Sequence, residues 1–286
     1  MENKVMITAA LAGSGRATKE NNPHIPGNPE EIADAAYKCW QAGASIVHIH
    51  GRDWQGQVTA EPEVYHEIHR LIRDKCDIII QDSTGLGAYV ATEDRIKVIE
   101  GGAEMCSLNM GTMVRTGWDN SIFLNTPDLI ESFVQRMLEL DIKPEMEVFS
   151  HPMLREVENL IHKGIVKKPY LVNLVLGATY QNTLAATPKN LLSLIDHLPP
   201  GCIFNVTAMG KDQLPLTTLG MLLGGNVRVG LEDNLYYRKG QLASNEMLVE
   251  RAVRIARELE REVATPAEAR EILGLKQLAP QENLGE

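Results

Sequence analysis

The stretch Ser45-Ile46-Val47-His48-Ile49-His50-Gly51-Arg52-Asp53 is an apolar strand pattern whose last two same-face positions are both histidine. Alternate residues of a strand share a face, so His48 and His50 present two imidazoles side by side, a donor pair that suits borderline-soft divalent ions, zinc above all. An H-x-H pair also occurs as a plain hydrogen-bonded pair, and its spacing alone leaves both readings open. Further chemistry-bearing residues recur in other strand-like runs. Ser107 and Asn109 share one parity, as do Glu145 and Glu147, Asn205 and Thr207, and Arg228 and Glu232, while the residues between them are mostly Val, Leu, Met, Phe and Cys.

Eight apolar runs of strand length can position these residues: 5–10, 45–50, 78–83, 105–110, 145–149, 170–176, 202–208 and 226–231. Each is followed by a segment with helical signals. Asn28-Pro29-Glu30-Glu31 supplies a capping residue, a first-turn proline and a capping-box glutamate, and Thr126-Pro127, Thr187-Pro188 and Ser244 open others. Strict strand–helix alternation without a Pro/Gly/Ser-rich linker predicts an α/β chain built as one (β/α)8 barrel. The expected organisation is a single domain over 1–286, with the barrel over about 4–263 and an extension over about 264–286. In the extension, Thr265-Pro266-Ala267-Glu268 caps a short helix that Gly274 stops and that should cover a barrel face or a neighbouring subunit.

Strands of a closed parallel barrel are apolar on both faces unless chemistry demands otherwise. Buried charge costs several kcal/mol per ion if unpaired, so the polar parity points into the barrel and marks a site. Barrel active sites lie at the carboxyl ends of the strands, where His50, Ser83, Asn109, Glu147 and Glu232 fall. Glu232 would complete a two-histidine, one-carboxylate ligand set with an open position; its spacing equally allows a simple pair with Arg228. Asp233 turns the other way at the strand end and would serve as a general base or cap the loop. Arg228 is the inward cation best placed for an oxyanion or carboxylate.

Composition excludes several classes. The chain of 286 residues is 44% hydrophobic and 23% charged with a net charge of −10, which fits a globular enzyme and argues against a nucleic-acid binder. Cys39 and Cys76 fall in helical patterns and Cys106 and Cys202 in strand patterns, with no C-x-x-C spacing, so all four read as reduced core residues. No signal peptide and no continuous apolar span of ~18 residues is found, which makes the cytoplasm the expected location.

With these residues in hand, the chain resembles the β-keto acid cleavage enzyme family over nearly its whole length. The resemblance rests on 7–13, on His24-Ile25-Pro26 with Pro29-Glu30-Glu31-Ile32, on 47–53, on Pro144-Glu145-Met146-Glu147-Val148-Phe149, and above all on 224–234. It implies zinc held by His48, His50 and Glu232, active-site roles for Arg228, Ser83 and Asp233, and a hydroxyl position at Ser107. It also implies a retro-Claisen exchange in which a β-keto acid and acetyl-CoA give acetoacetate and the CoA ester of the remaining acyl group. In that reaction zinc would polarise the β-keto acid, Asp233 would arrange the proton transfer and Arg228 would steady the oxyanion. Ser107, Asn109, Glu147 and Arg16 are expected to contact substrate, and Arg115, Lys211 and Arg238 follow strands as candidates for docking CoA. A symmetric homo-oligomer, a tetramer, is expected on the same resemblance.

Two departures matter. Ser150-His151-Pro152 stands where relatives often have an aspartate and a glycine, so His151 either starts a helix without a role or reaches the substrate. Arg16 stands in the first loop where an acidic residue accompanies an amino-substituted substrate; facing inward it would favour an anionic or neutral substrate tail, and facing water it would say nothing. Two other readings are a metal hydrolase of the amidohydrolase type and a non-catalytic ligand-binding barrel. The first places H-x-H on the first strand and needs histidines ending the fifth and sixth, whereas here the pair is on the second and no histidine occurs between His162 and His197.

Overall fold

In a computed structural model the described residues are 3–15, 18–87, 90–116, 120–178, 181 and 183–278. Eight parallel strands close into a barrel: β1 (Ile7–Ala10), β2 (Ile46–Ile49), β3 (Ile79–Ser83), β4 (Met105–Asn109), β5 (Lys143–Val148), β6 (Tyr170–Leu176), β7 (Cys202–Ala208) and β8 (Asn226–Val229). Their spatial order follows the chain, and β8 returns to pair with β1. The helices are α1 (Pro29–Ala42), α2 (Pro62–Arg73), α3 (Pro127–Glu139), α4 (His151–His162), α5 (Pro188–Asp196), α6 (Gln213–Leu222), α7 (Asn245–Glu258) and α8 (Pro266–Leu273).

The expected alternation holds with one exception. After β3 the chain forms a 3-10 run, Arg95–Gly101, in place of an α-helix. Arg95 is tied down by donating to the carbonyls of Thr84 and Leu124, and a Cβ on Gly101 would lie 2.6 Å from Tyr65 Cβ. The segment is therefore packed too close to α2 to take a thicker helix. Most of the capping signals hold: Asn28, Thr126, Thr187 and Thr265 each accept from a backbone N–H of the first turn, whereas Ser244 precedes α7 without a side-chain cap bond. At Thr265 the reciprocal capping box forms; at α1 the Glu31 carboxylate reaches past Asn28 to the Gly27 N–H. Cys39, Cys76 and Cys106 are buried and all four cysteines are free, although Cys76 lies just beyond α2 rather than in it. No helix among the described residues is long and apolar enough to cross a membrane.

Register sorts the barrel interior into layers. At the amino-terminal end Met6, Ile46, Ile79, Met105 and Leu171 form an apolar floor. Above it Ala10, His48 and Gln81 stand in register, then Ser83 with Ser107, Asn109 with Glu147, Glu147 with Asn173, and Asn173 with Asn205. The inward parity read from the sequence is thus the observed one. Below the floor α8 acts as a plug: Ala264, Ala269 and Leu273 join the apolar layer, and Arg270 donates to Glu104 Oε2 at 2.6 Å and to the Asp77 carbonyl at 2.7 Å. The extension therefore covers a barrel end of its own chain.

Replacing the fully buried Leu273 by Ala should lower stability by about 2–5 kcal/mol, because the floor cannot collapse around the missing atoms. Leu278→Ala, at a residue 39% exposed, should change it by less than about 0.5 kcal/mol. Urea denaturation of both variants measures the contrast.

Candidate active site

The carboxyl ends of the strands open onto a cavity of about 970 Å³ lined by His50, Ser83, Asn109, Glu147, Arg228, Glu232 and Asp233, among others. His48 and His50 approach edge to face with ring centroids 5.3 Å apart. His50 Nε2 lies 3.3 Å from Glu232 Oε1 and His48 Nε2 lies 3.6 Å from Glu232 Oε2. One ligand atom from each of His48, His50 and Glu232 falls within 4.8 Å of the others. Glu232 also pairs with Arg228, whose Nη2 donates to Glu232 Oε1 at 2.5 Å.

Local backbone explains how two adjacent carboxylates reach one guanidinium. β8 ends at Val229, two residues before the end of the apolar run, because Gly230 takes φ +146° against the Ala10 carbonyl, where a Cβ would come within 2.0 Å of the oxygen. The chain then turns, with Glu232 N donating to Ala10 O and Asp233 N to Gly230 O. Strand alternation lapses there, so Asp233 does not turn away as the sequence predicts. Its Oδ2 and Oδ1 accept from Arg228 Nε and Nη2, both at 2.9 Å, while Arg228 Nη1 donates to Glu147 Oε1 at 3.3 Å. One guanidinium holds three carboxylates.

That crowding drives the titration of the cluster in opposite directions. Burial works against ionisation of Glu232, but Arg228 and then the two imidazoles overcome it and hold the carboxyl well below the usual range. Burial raises Glu147 to about 8 against the pull of Arg228, with Glu145 and the other acids adding to the rise. Burial and the neighbouring Glu232 raise Asp233 despite Arg228. His48 is lowered to about 3, chiefly by burial and then by Arg228, so its ring is neutral.

Further partners complete the site, of which Gln81 and Asn173 were missed by the sequence reading. Gln81 Oε1 accepts from His48 Nδ1 at 2.7 Å, which leaves the Nε2 lone pair directed at the cluster. Asn173 donates to Glu147 Oε1 and accepts from Thr207 Oγ1 at 2.8 Å. Burial raises Glu145, which accepts from Asn205 at 2.5 Å. Gln81 and Asn173 each interrupt an apolar strand at the inward parity, the one signal that could have flagged them. Buried Arg52 donates to the Gly13 carbonyl at 2.8 Å, anchoring the first loop beside Glu232.

The expected residues are not all at the cavity wall. Ser83 lines it, its Oγ accepting from Gly85 N at 3.2 Å and lying 3.5 Å from Ser107 Oγ. Ser107 is fully buried behind Ser83 and takes no direct place in the lining. Arg115, Lys211 and Arg238 all line the cavity. His151 starts α4 and bonds Ser193 Oγ at 2.9 Å, away from the lining, so it is a helix-start residue, and the fifth-strand histidine that a hydrolase of the amidohydrolase type requires is missing from the wall. Arg16 lies outside the described residues.

A closed (β/α)8 barrel with a buried acid–base cluster and a His/His/carboxylate set at the strand ends defines a barrel enzyme. Comparison with known proteins narrows the class. The family profile described as beta-keto acid cleavage enzyme matches residues 4–275. The 3-keto-5-aminohexanoate cleavage enzymes of Acetoanaerobium sticklandii and Fusobacterium nucleatum are each 41% identical to this chain, covering 95% and 96% of it and 98% and 100% of their own lengths. The 3-dehydrocarnitine:acetyl-CoA trimethylamine transferase of Rhizobium meliloti is 30% identical over 96% of this chain and 98% of its own. The chain belongs to the β-keto acid cleavage enzyme family. Among solved structures, apo ObcA superposes with a TM-score of 0.75 at 20% identity, covering 88% of this chain and 66% of that one, a likeness of fold.

The raised pKa of Glu147 has a measurable consequence in metal-stripped protein. Between pH 4.5 and about 8 the folded state keeps a proton that the unfolded state has lost. The stabilisation is complete below pH 4.5 and fades as pH rises through 8, with a slope of at most about 1.4 kcal/mol per pH unit. Glu147→Gln should flatten the fall relative to wild type in urea titrations across that window; parallel curves would remove Glu147 as its source.

Proposed function

We propose that this chain is a divalent-metal-dependent enzyme that carries out a retro-Claisen exchange, converting a β-keto acid and acetyl-CoA into acetoacetate and the CoA ester of the remaining acyl group. Family membership and the acetyl-CoA-dependent relatives support the reaction class. The observation that carries the metal reading is a pair of buried, unpartnered atoms, His48 Nε2 and Glu232 Oε2, facing one another across the cluster. Leaving both buried atoms unpaired is costly, and a neutral imidazole and an ionised carboxylate are the forms that ligate. His48, His50 and Glu232 would hold the ion, and zinc is the expectation for two nitrogens and one carboxylate oxygen. A divalent ion there would supply Lewis-acid polarisation of the keto and carboxylate oxygens of a β-keto acid.

The remaining steps belong to the chain itself. Asp233, aimed by two hydrogen bonds from Arg228 and raised in pKa, takes the proton from the carbon between the two carbonyl groups. The electron pair left on that carbon attacks the thioester carbonyl of acetyl-CoA and expels the CoA thiolate, which adds to the original keto carbon and breaks the original carbon–carbon bond; the new thioester forms, and the acetoacetate enolate that leaves takes the proton back from Asp233. Arg228 commits four of its five N–H groups to Asp233, Glu232 and Glu147, so its first task is to fix the carboxylates; one Nη1 donor is left for an oxyanion. The Ser83 hydroxyl and Asn109 offer further donors to substrate oxygens. A homotetrameric, cytoplasmic enzyme is part of the same proposal, resting on the resemblance, and light scattering tests the assembly.

Metal-quantified protein incubated with acetyl-CoA and neutral, cationic or dicarboxylic β-keto acids should release acetoacetate and a new acyl-CoA, read by mass spectrometry; no product from any of them would overturn the reaction. Among the dicarboxylic and cationic acids, preference for an anionic tail would assign Arg16 an inward role. Glu232→Gln should lose the metal, whereas Asp233→Asn should keep it and lose about a hundredfold or more in turnover. Equal metal loss in both would refute this division of roles. Gln81→Leu should weaken metal affinity about 10–100-fold by freeing the His48 ring, measured by chelator competition.

A further inference from the structure

The cavity is larger than a small keto acid needs, lying at the top of the range for drug-sized ligands. Its acids, Glu147, Glu232 and Asp233, are gathered at the floor around Arg228. The wall above is cationic. Lys211 follows β7, Arg238 and Lys239 sit on a hairpin that follows β8 (Tyr236–Arg238 against Gln241–Leu242), and Arg251 comes from α7. None of these four forms an ion pair among the described residues: Arg238 donates to Gln241, and Arg251 donates to the Tyr237 carbonyl and lies 4.5 Å over its ring. In a chain of net charge −10, four unneutralised cations on one wall are a concentrated exception.

The same wall carries exposed apolar surface. Tyr236 is 50% exposed and Leu214 39%, and both line the cavity. An exposed ring flanked by cations suits a base carried on phosphates. The wall is also tied to the chemistry below. Gly210 N, next to Lys211, donates to the Asp233 carbonyl at 2.7 Å, and Asn234 bonds Tyr236 in both directions, Nδ2 donating to its carbonyl at 2.7 Å and Oδ1 accepting from its N–H at 3.1 Å. Asn22 holds both ends of the hairpin segment by donating to the carbonyls of Leu235 and Ala243. The loops after the seventh and eighth strands are where barrel enzymes frequently bind phosphate.

We propose that Lys211, Arg238, Lys239 and Arg251, with Tyr236 and Leu214, form a subsite for the nucleotide end of acetyl-CoA. The cations take its phosphates, Tyr236 stacks on its adenine, and the thioester hangs inward to Asp233. This rests on the acetyl-CoA reading above and adds to it a specificity: the protein selects the full coenzyme over shorter acetyl thioesters. Arg115, across the cavity over the Phe123 ring at 5.2 Å, is not part of the subsite.

The test compares acetyl-CoA, acetyl-dephospho-CoA and S-acetylpantetheine, which carry three, two and no phosphates. In the triple variant Lys211→Gln/Arg238→Gln/Lys239→Gln, kcat/KM for acetyl-CoA should fall about tenfold or more through KM, with a smaller fall for the dephospho form. Wild type and variant should coincide on S-acetylpantetheine. The rise of KM with added salt seen for wild type on acetyl-CoA should flatten. Tyr236→Ser should raise KM for both nucleotide thioesters alike. Lys189→Gln, an exposed charge removed on α5, controls for net charge and should change nothing. Equal losses on acetyl-CoA and S-acetylpantetheine, or no loss on either, would overturn the subsite. Calorimetry with CoA and pantetheine separates the two readings: CoA binding weakened by the triple variant but no β-keto acid turned over would sink the reaction and keep the subsite, whereas turnover with equal binding of CoA and pantetheine would do the reverse.

Discussion

Three carboxylates around one buried guanidinium are the arrangement on which the rest of this site depends. Arg228 is 3% exposed, and at such a position an unpaired cation would cost several kcal/mol. Glu147, Glu232 and Asp233 offset that cost, but three acids against one base leave an excess of negative charge. The excess is absorbed in two ways. Glu147 rises to about 8 and is protonated at neutral pH, and the charge that Glu232 keeps lies beside the imidazoles of His48 and His50, where a divalent cation would cancel it. The same guanidinium thus lowers one acid while burial raises its neighbours, the separation that acid–base chemistry at neutral pH requires.

The scaffold supports this by grading the barrel interior from apolar to charged along its axis. The floor of Met6, Ile46, Ile79, Met105 and Leu171, sealed by α8, excludes water from below. Between floor and cluster lies a layer of amides, Gln81, Asn173 and Asn205, whose oxygens and N–H groups fix His48, Glu147 and Glu145 in turn. Neutral amides serve there because they orient an imidazole or an acid without adding charge to a site that already holds an excess. Above the cluster the sign reverses, and cations line one wall as far as the solvent. An anion entering the cavity passes these cations first and reaches the acidic cluster only at the bottom.

Backbone geometry is as decisive as side-chain identity at one point. Without Gly230 the chain could not pass the Ala10 carbonyl, and Glu232 and Asp233 would continue the strand on opposite faces. The turn converts two sequence neighbours into two partners of one guanidinium, one carboxylate facing the imidazoles and the other held bidentate by Arg228 beside them. Residue types are conventional here; their convergence is not.

The fold was legible from the sequence because its signals are local. Eight apolar runs, capping residues such as Thr265 and prolines at first turns act within a few residues, and barrel closure follows from strict alternation. Inward parity was legible for the same reason, so strand periodicity alone points His48, His50, Glu147 and Arg228 into the barrel interior. What the sequence by itself determined, then, is the barrel and the set of groups it encloses. The tertiary structure alone decided the rest. It turned Asp233 toward Arg228, moved Ser107 behind Ser83, took His151 out of the wall, and gave Gln81 its hold on His48. Each of those outcomes depends on contacts between residues far apart in the chain or on a turn that breaks strand periodicity, and neither is written in any local pattern.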